Sequence, residues 1–269
     1  MSPEIASPTG YVIVTLFGAV VGSFLNVCIA RIPNGESIVY PTSHCPKCRA
    51  PIAVYDNIPL ISYLMLQGRC RSCLKPISSR YFFVELLMGL VAAALYYRFG
   101  LGFEFFVGFI FVGALLAISF IDLDVRIVPD VISLPGIISG LAVSVIGYFF
   151  IGSQLRIVPS PVSSVVGILV GGGFLLATAW IYEKLTGVEG MGGGDIKLLA
   201  MIGAFLGWPA IPITLFFASL VGSIVGIACM IWTGAGRRLA LPFAPFLCSG
   251  AVVFIFFGQD LARFYLPPA

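Results

Sequence analysis

Charge is what this chain has least of. Only 10% of its 269 residues are Asp, Glu, Lys or Arg, against roughly 25% in ordinary soluble domains. That scarcity, with 59% hydrophobic residues, excludes a soluble globular protein. Acids are few, six Asp and six Glu, and histidine occurs once, as His44. No Gly-x-x-x-x-Gly-Lys-Ser/Thr run is present, which excludes a phosphate-cradling loop of that type, and no glycine fingerprint of a soluble dinucleotide fold is present either. The chain has no low-complexity segment and no convincing internal repeat. Its net charge of +3 needs no acidic partner, and no nucleic-acid binding is expected.

What remains is long apolar runs. A stretch of about 18 or more apolar residues reads as a membrane span. Such stretches lie near 11–30, 81–98, 104–121, 131–151, 162–181, 210–232 and 242–260. A shorter one at 196–207 ends at Trp208-Pro209 and brings the expected number to about eight. The first run lacks a basic start, so it is expected to be a span and not a cleavable leader. The expected architecture is an all-α polytopic membrane protein. It comprises a first helix (1–30), a polar insert (31–80) and a multi-helix membrane domain (81–269).

Basic residues orient it. With eight spans and the N-terminus outside, the inner segments carry Arg31, Lys47, Arg49, Arg69, Arg71, Lys75, Arg80, Arg126, Lys184, Lys197, Arg237 and Arg238. The outer ones carry Arg98, Arg156 and Arg263. Twelve against three places the insert in the cytoplasm by the positive-inside rule.

The insert holds Cys45-Pro-Lys-Cys48 and Cys70-Arg-Ser-Cys73. Two Cys-x-x-Cys pairs at this spacing point to a four-thiolate zinc site. The alternative, disulfides, needs an oxidising compartment, and a cytoplasmic insert favours zinc. His44 is a neighbouring donor that four thiolates leave unneeded. Some fifty residues build too small a core alone, so a metal supplies folding free energy. The prolines of the insert suggest knuckles and short strands there, not helices. Cys28, Cys229 and Cys248 fall within spans and read as packing residues.

The carboxylates are the candidates for chemistry; the alternatives are that Asp122 marks a water boundary and that Asp195 caps its helix. Asp122, Asp124 and Asp130 crowd one turn, and Asp195 follows Gly192, Gly193 and Gly194. Ionisable groups at membrane depth are costly and so are usually functional. Asp122 closes one span and Asp195 opens another, both at the cytoplasmic boundary. A close carboxylate pair divides into one acid and one base, the arrangement of an aspartic protease. Gly192 and Gly194 let a backbone approach Asp195. Asp130 follows Pro129 and reads as a helix N-cap or a supporting charge. Asp124 points away from Asp122 on a helix and reads as a supporting charge. Lys197 either tunes Asp195 or anchors its helix at the headgroups. Mid-span positions are nearly charge-free, which argues against a transporter.

These residues together resemble the prepilin peptidases, the bifunctional type IV leader peptidase/N-methyltransferase family. The matching stretches are Gly22 to Pro33, Ser43 to Cys48, Asp56 to Leu64, Gly68 to Cys73, Ile77 to Glu85, Ile121 to Asp124 with Pro129-Asp130, and Gly192-Gly-Gly-Asp195-Ile-Lys197. The resemblance implies that Asp122 and Asp195 are the catalytic aspartates. It implies cleavage of prepilins and type II secretion pseudopilins after a glycine at the cytoplasmic face of the bacterial inner membrane. The new N-terminus would then be methylated from S-adenosylmethionine. Zinc on Cys45, Cys48, Cys70 and Cys73 would be structural. Asn26, Arg31, Asp56, Asn57, Arg80 and Glu85 are candidates for the methyl-transfer region or for holding the insert. The competing expectations are a peptidase without methyl transfer, and a non-enzymatic zinc-stapled assembly or transport protein.

Overall fold

The computed structural model describes residues 7–152, 155–187, 192–233 and 241–265. Among them are nine α-helices: α1 (Pro8–Arg31), α2 (Ile61–Met65), α3 (Ser79–Phe99), α4 (Phe103–Val125), α5 (Asp130–Ile146), α6 (Pro161–Thr186), α7 (Gly193–Leu206), α8 (Ala210–Thr233) and α9 (Ala244–Tyr265). Each of the eight expected apolar runs has its helix. Six segments are long and apolar enough to cross a membrane: those built on α1, α3, α4, α5, α6 and α8. α7 has only 14 residues, and the apolar part of α9 within the described residues is the shorter stretch Ala244–Gly258. Lipid leaves no water to satisfy backbone groups, so the helix, which pairs its own, is the form these runs take. The turn residues 188–191 of the glycine run lie outside the described residues, as do Arg237 and Arg238 and the side chain of Arg263.

The chain divides into two compact units, 1–117 and 118–269, with the boundary inside α4. In the first, α1 packs against α3. Ser7 and Ser78 cap the two helices by accepting the backbone N–H of Gly10 and of Arg80, which satisfies donors the first turn leaves free. Asn26 Nδ2 donates to the Tyr81 carbonyl at 3.0 Å across the pair.

The insert is less strand-like than its prolines suggest. Among the described residues it has only two isolated bridges, His44 with Pro51 and Arg69 with Pro76, and it includes the short helix α2. It also contains a repeat that composition does not advertise. Cys45 N–H donates to Ala50 O (2.9 Å) and Arg49 N–H to Cys45 O (2.8 Å). Cys70 N–H donates to Lys75 O (3.0 Å) and Leu74 N–H to Cys70 O (2.9 Å). Arg49 and Leu74 both take a positive φ, 59° and 57°. The two eight-residue turns are therefore built alike, one residue past each cysteine pair bending the chain back through the left-handed region.

In the second unit the short helix α7 is the centre, touching α5, α6, α8 and α9. Every residue from Leu198 to Leu206 is buried. α6 meets α7 without intervening side chains: a Cβ on Gly167 or Gly203 would collide with the other residue's backbone. Such small-residue crossings replace the hydrophobic effect, which is absent between helices in lipid, with close van der Waals packing. Ser164 Oγ adds a buried hydrogen bond to the Ala204 carbonyl at 2.8 Å.

Candidate active site and metal centre

The site is built where three helix ends of the second unit converge. The first is the last turn of α4. Its hydrogen-bonded path closes with Arg126 N–H on the Asp122 carbonyl (2.9 Å), and Arg126 at φ 57° stops the helix, as a left-handed residue does at a helix C-terminus. Asp122 lies one turn inside this end and is only 5% exposed. The second is the start of α7, where Asp195 sits in the first turn after Gly192, Gly193 and Gly194. The third is the start of α9. Its Ala244 N–H donates to Asp122 Oδ2 at 3.1 Å.

The two sequence-selected aspartates are brought together. The charge of Asp122 is felt at Asp195, and both are felt at buried Cys248, one turn into α9. Ser119, one turn before Asp122, shares a side-chain hydrogen bond with Cys248. The amide aimed at Asp122 Oδ2 makes that oxygen an acceptor and leaves the other for a water or a proton. The helix start that supplies it also carries a partial positive charge.

The supporting residues separate. Gly194 is a close-approach glycine. A Cβ there would lie 2.8 Å from Cβ of Val128, in the α4–α5 connection. Thus Gly194 seats the start of α7 against the segment that follows Asp122. Gly192 and Gly193 border open space. Asp130 is not an N-cap: Pro129 occupies that position. Asp130 instead bonds Lys197 Nζ at 2.7 Å, tying α5 to α7. Lys197 therefore pairs with Asp130, not with Asp195. Asp124 is exposed on the outer face of α4.

In the first unit the four cysteines form one cluster, with all four Sγ atoms within 4.8 Å of one another. Cys45 and Cys73 are 3.9 Å apart and Cys48 and Cys70 4.0 Å apart. Disulfide sulfurs would lie about 2.05 Å apart. A tetrahedron with zinc–sulfur bonds of about 2.3 Å has edges of about 3.8 Å, so the donor set fits zinc. The Cys48 N–H directed at Cys45 helps lower the Cys45 thiol to about 6, while the neighbouring sulfurs help push Cys48 up to about 11, so Cys45 is the first of the two to become the thiolate that a metal requires.

The polar residues around the insert are mostly committed to its attachment. Arg31 donates to the carbonyls of Ser37 (2.9 Å) and Pro41 (2.7 Å). Glu85 Oε2 accepts from Leu60 N–H at 2.8 Å. Asp56 takes a two-point ion pair from Arg71, at 2.6 and 2.7 Å, which holds its carboxyl below the usual range. Asn26 Oδ1 is buried with no partner among the described residues.

The chain is similar over most of its length to proteins named prepilin leader peptidase/N-methyltransferase. That of Aeromonas hydrophila is 36% identical, covering 94% of this chain and 93% of the relative. That of Burkholderia pseudomallei (strain 1026b) is 36% identical over 97% and 89%. That of Pseudomonas aeruginosa is 34% identical over 96% and 94%. The Bacterial Peptidase A24 N-terminal domain matches residues 16–99, and the Type IV leader peptidase family matches residues 109–227. The chain belongs to the type IV leader peptidase family. No solved structure matches it.

The first family match spans α1, the cysteine insert and α3; the second spans both aspartates. It ends before α9, so Ala244 and Cys248, which touch or adjoin the carboxylate pair, lie outside it. Sequence reading missed Ala244, and it took Cys248 for a packing residue, which its burial bears out, without placing it beside the carboxylates. The one local signal was Pro242 and Pro245 flanking Ala244, since proline is favoured at a helix start. Nothing local says which residue that start would meet.

Proposed function

We propose that this membrane protein removes the basic leader from type IV prepilins and type II secretion pseudopilins. Asp122 and Asp195 do the work with water, after a glycine, at the cytoplasmic face of the bacterial inner membrane. The observation that carries this reading is the meeting of these two carboxylates at the ends of α4 and α7. One carboxylate takes a proton from water as the oxygen attacks the scissile carbonyl; the other, protonated, hydrogen-bonds the carbonyl oxygen. Collapse of the tetrahedral intermediate then returns a proton to the leaving amine. The Ala244 N–H fixes the orientation of Asp122, so the pair is set before substrate arrives.

The new N-terminal amine is then methylated, as the names of the relatives indicate for those proteins, with S-adenosylmethionine supplying the methyl group as co-substrate. Cys45, Cys48, Cys70 and Cys73 hold a structural zinc ion that folds the insert. The substrate helix lies in the bilayer with its leader in the cytoplasm, in keeping with the twelve-to-three distribution of basic residues. The α1, α3–α6 and α8 segments cross the membrane, and α7 and α9 complete about eight spans.

The test is purified protein mixed with a prepilin, reading leader loss by mass and methyl incorporation from labelled S-adenosylmethionine. Leader loss without methylation would support a peptidase alone. Neither would leave a zinc-stapled assembly protein.

A further inference from the structure

Not all of the exposed apolar surface lies on the long helices. Within the insert, a turn of 3-10 helix, Val54–Asn57, is followed by α2. Ser62 is the buried centre of this segment. Its Oγ accepts the Ile58 N–H at 3.2 Å and donates to the Tyr55 carbonyl at 3.0 Å, which folds the turn onto α2. With this polar hub inside, large apolar side chains stand outside. Val54, Tyr55, Ile58, Ile61, Leu64 and Met65 are all exposed, Val54 by 89% and Met65 by 77%. An apolar group of this size marks a contact surface.

The same segment is moored to a membrane span. Leu60 takes φ 62° and ψ −51°, and the Ile61 N–H closes on the Pro59 carbonyl at 2.6 Å, a γ-turn of the rare, strained kind. The Leu60 N–H reaches Glu85 Oε2 at 2.8 Å. Glu85 lies six residues past Ser79, where the span-forming helix α3 begins, or about 9 Å along its axis. The Tyr63 ring packs on Phe82 of α3, with centroids 5.5 Å apart, and its hydroxyl donates to the Ile77 carbonyl at 3.4 Å. Phe83, beside Phe82, is exposed on α3, where a bilayer would cover it.

Charge names the partner. The insert, 31–80, carries seven basic residues against two acidic ones, Glu36 and Asp56, and Asp56 is already paired with Arg71. Four thiolates around one zinc ion leave that balance positive. Lys47, Arg49, Arg69 and Lys75 are exposed. They suit anionic lipid headgroups and would repel a basic leader. We propose that residues 54–65 dock on the bilayer, with Val54, Tyr55, Leu64 and Met65 seated in the interface of a leaflet containing anionic lipid. The insert is then an interfacial element, not a domain held out in water. Tyr55, with the Arg71 guanidinium 5.5 Å from its ring centroid, has the apolar body and polar tip that such interfaces favour. Nothing in this depends on the peptidase reading.

The test uses the full chain in nanodiscs of phosphatidylcholine and phosphatidylglycerol. Leu64→Trp and Met65→Trp each add a reporter at an exposed position, in variants first shown to keep the thermal midpoint of the unaltered protein. Their emission is read above the background of Trp180, Trp208 and Trp232. One quencher is bromine on the lipid acyl chains; the other is acrylamide in the water. The expected result is loss of most of the added emission to the brominated lipid in both variants. Quenching by acrylamide alone would show a solvated surface, and quenching by neither a surface covered by protein; either result would overturn the proposal. A second arm replaces the phosphatidylglycerol with phosphatidylcholine. Bromine quenching is expected to fall, and to fall less once Lys47→Gln and Lys75→Gln are added. Quenching indifferent to that exchange in the Leu64→Trp and Met65→Trp proteins would overturn the assignment to anionic lipid.

Discussion

Asp122 does two things at once: it is one of a carboxylate pair, and its Oδ2 receives the first N–H of α9, from Ala244, at 3.1 Å. The two roles make different demands on the residue, and substitution separates them.

Asp122→Asn keeps an oxygen that can accept the Ala244 N–H but cannot act as a titrating base. Cleavage of a prepilin is expected to fall at least about a hundredfold, the scale of lost acid–base catalysis, with the thermal midpoint nearly unchanged. Asp122→Ala should lose cleavage and stability together, the second by roughly 1–3 kcal/mol for an unsatisfied buried group. Asp195→Asn should match Asp122→Asn in activity. Near-normal cleavage by either Asn variant removes that residue from the mechanism.

Gly193→Ala and Gly194→Ala test the close approach at α7. A methyl on Gly194 would sit 2.8 Å from Val128 Cβ, while one on Gly193 meets nothing within 4 Å. Overpacking costs roughly 1–3 kcal/mol, so Gly194→Ala is expected to lower both melting temperature and cleavage rate. Gly193→Ala should cleave as the unaltered protein does. Equal behaviour of the two would mean that Val128 yields easily.

Metal analysis of protein purified without chelator is expected to return one zinc per chain. Substituting any one of Cys45, Cys48, Cys70 or Cys73 by Ser should lower that figure and make the insert sensitive to protease. Peptide cleavage should weaken without disappearing, because both aspartates lie on other segments. A disulfide within these pairs, found by mass spectrometry under alkylation, would contradict the zinc reading.

The Lys197–Asp130 pair, although only 2.7 Å long, has side chains 37% and 56% exposed. Pairs this exposed contribute below about 1 kcal/mol. Lys197→Gln and Asp130→Asn are therefore expected to shift the melting temperature by a few degrees at most and to leave the cleavage rate within a few-fold. A hundredfold loss in either would assign that residue a direct part in catalysis.

The helices were legible because apolar length alone marks a span, and Asp122 and Asp195 stood out because charge is rare here. The stretch least certain in sequence, 196–207, proves to be the centre of its unit. Its 14 residues are too few to advertise a span, and its burial comes from four neighbouring helices that no local pattern specifies. Asp130 illustrates the same limit. A residue after Pro129 and before an apolar run looks like a cap, yet the proline takes that position and the carboxylate reaches Lys197, 67 residues away. The Asp122–Ala244 contact spans 122 residues, and only the folded chain brings it into being. In the insert the prolines pointed to knuckles and short strands; the knuckles are there, with Pro51 and Pro76 at the ends of two duplicate turns, but the strands are reduced to isolated bridges among the described residues.

The side-chain-free crossing of α6 and α7 at Gly167 and Gly203 has a mechanical consequence. Backbone seated on backbone leaves no rotamers to rearrange, so the shaft that carries Asp195 has almost no play. α7 serves as an anvil. On the peptidase reading, whatever adjustment admits a substrate has to come from the connections around α7.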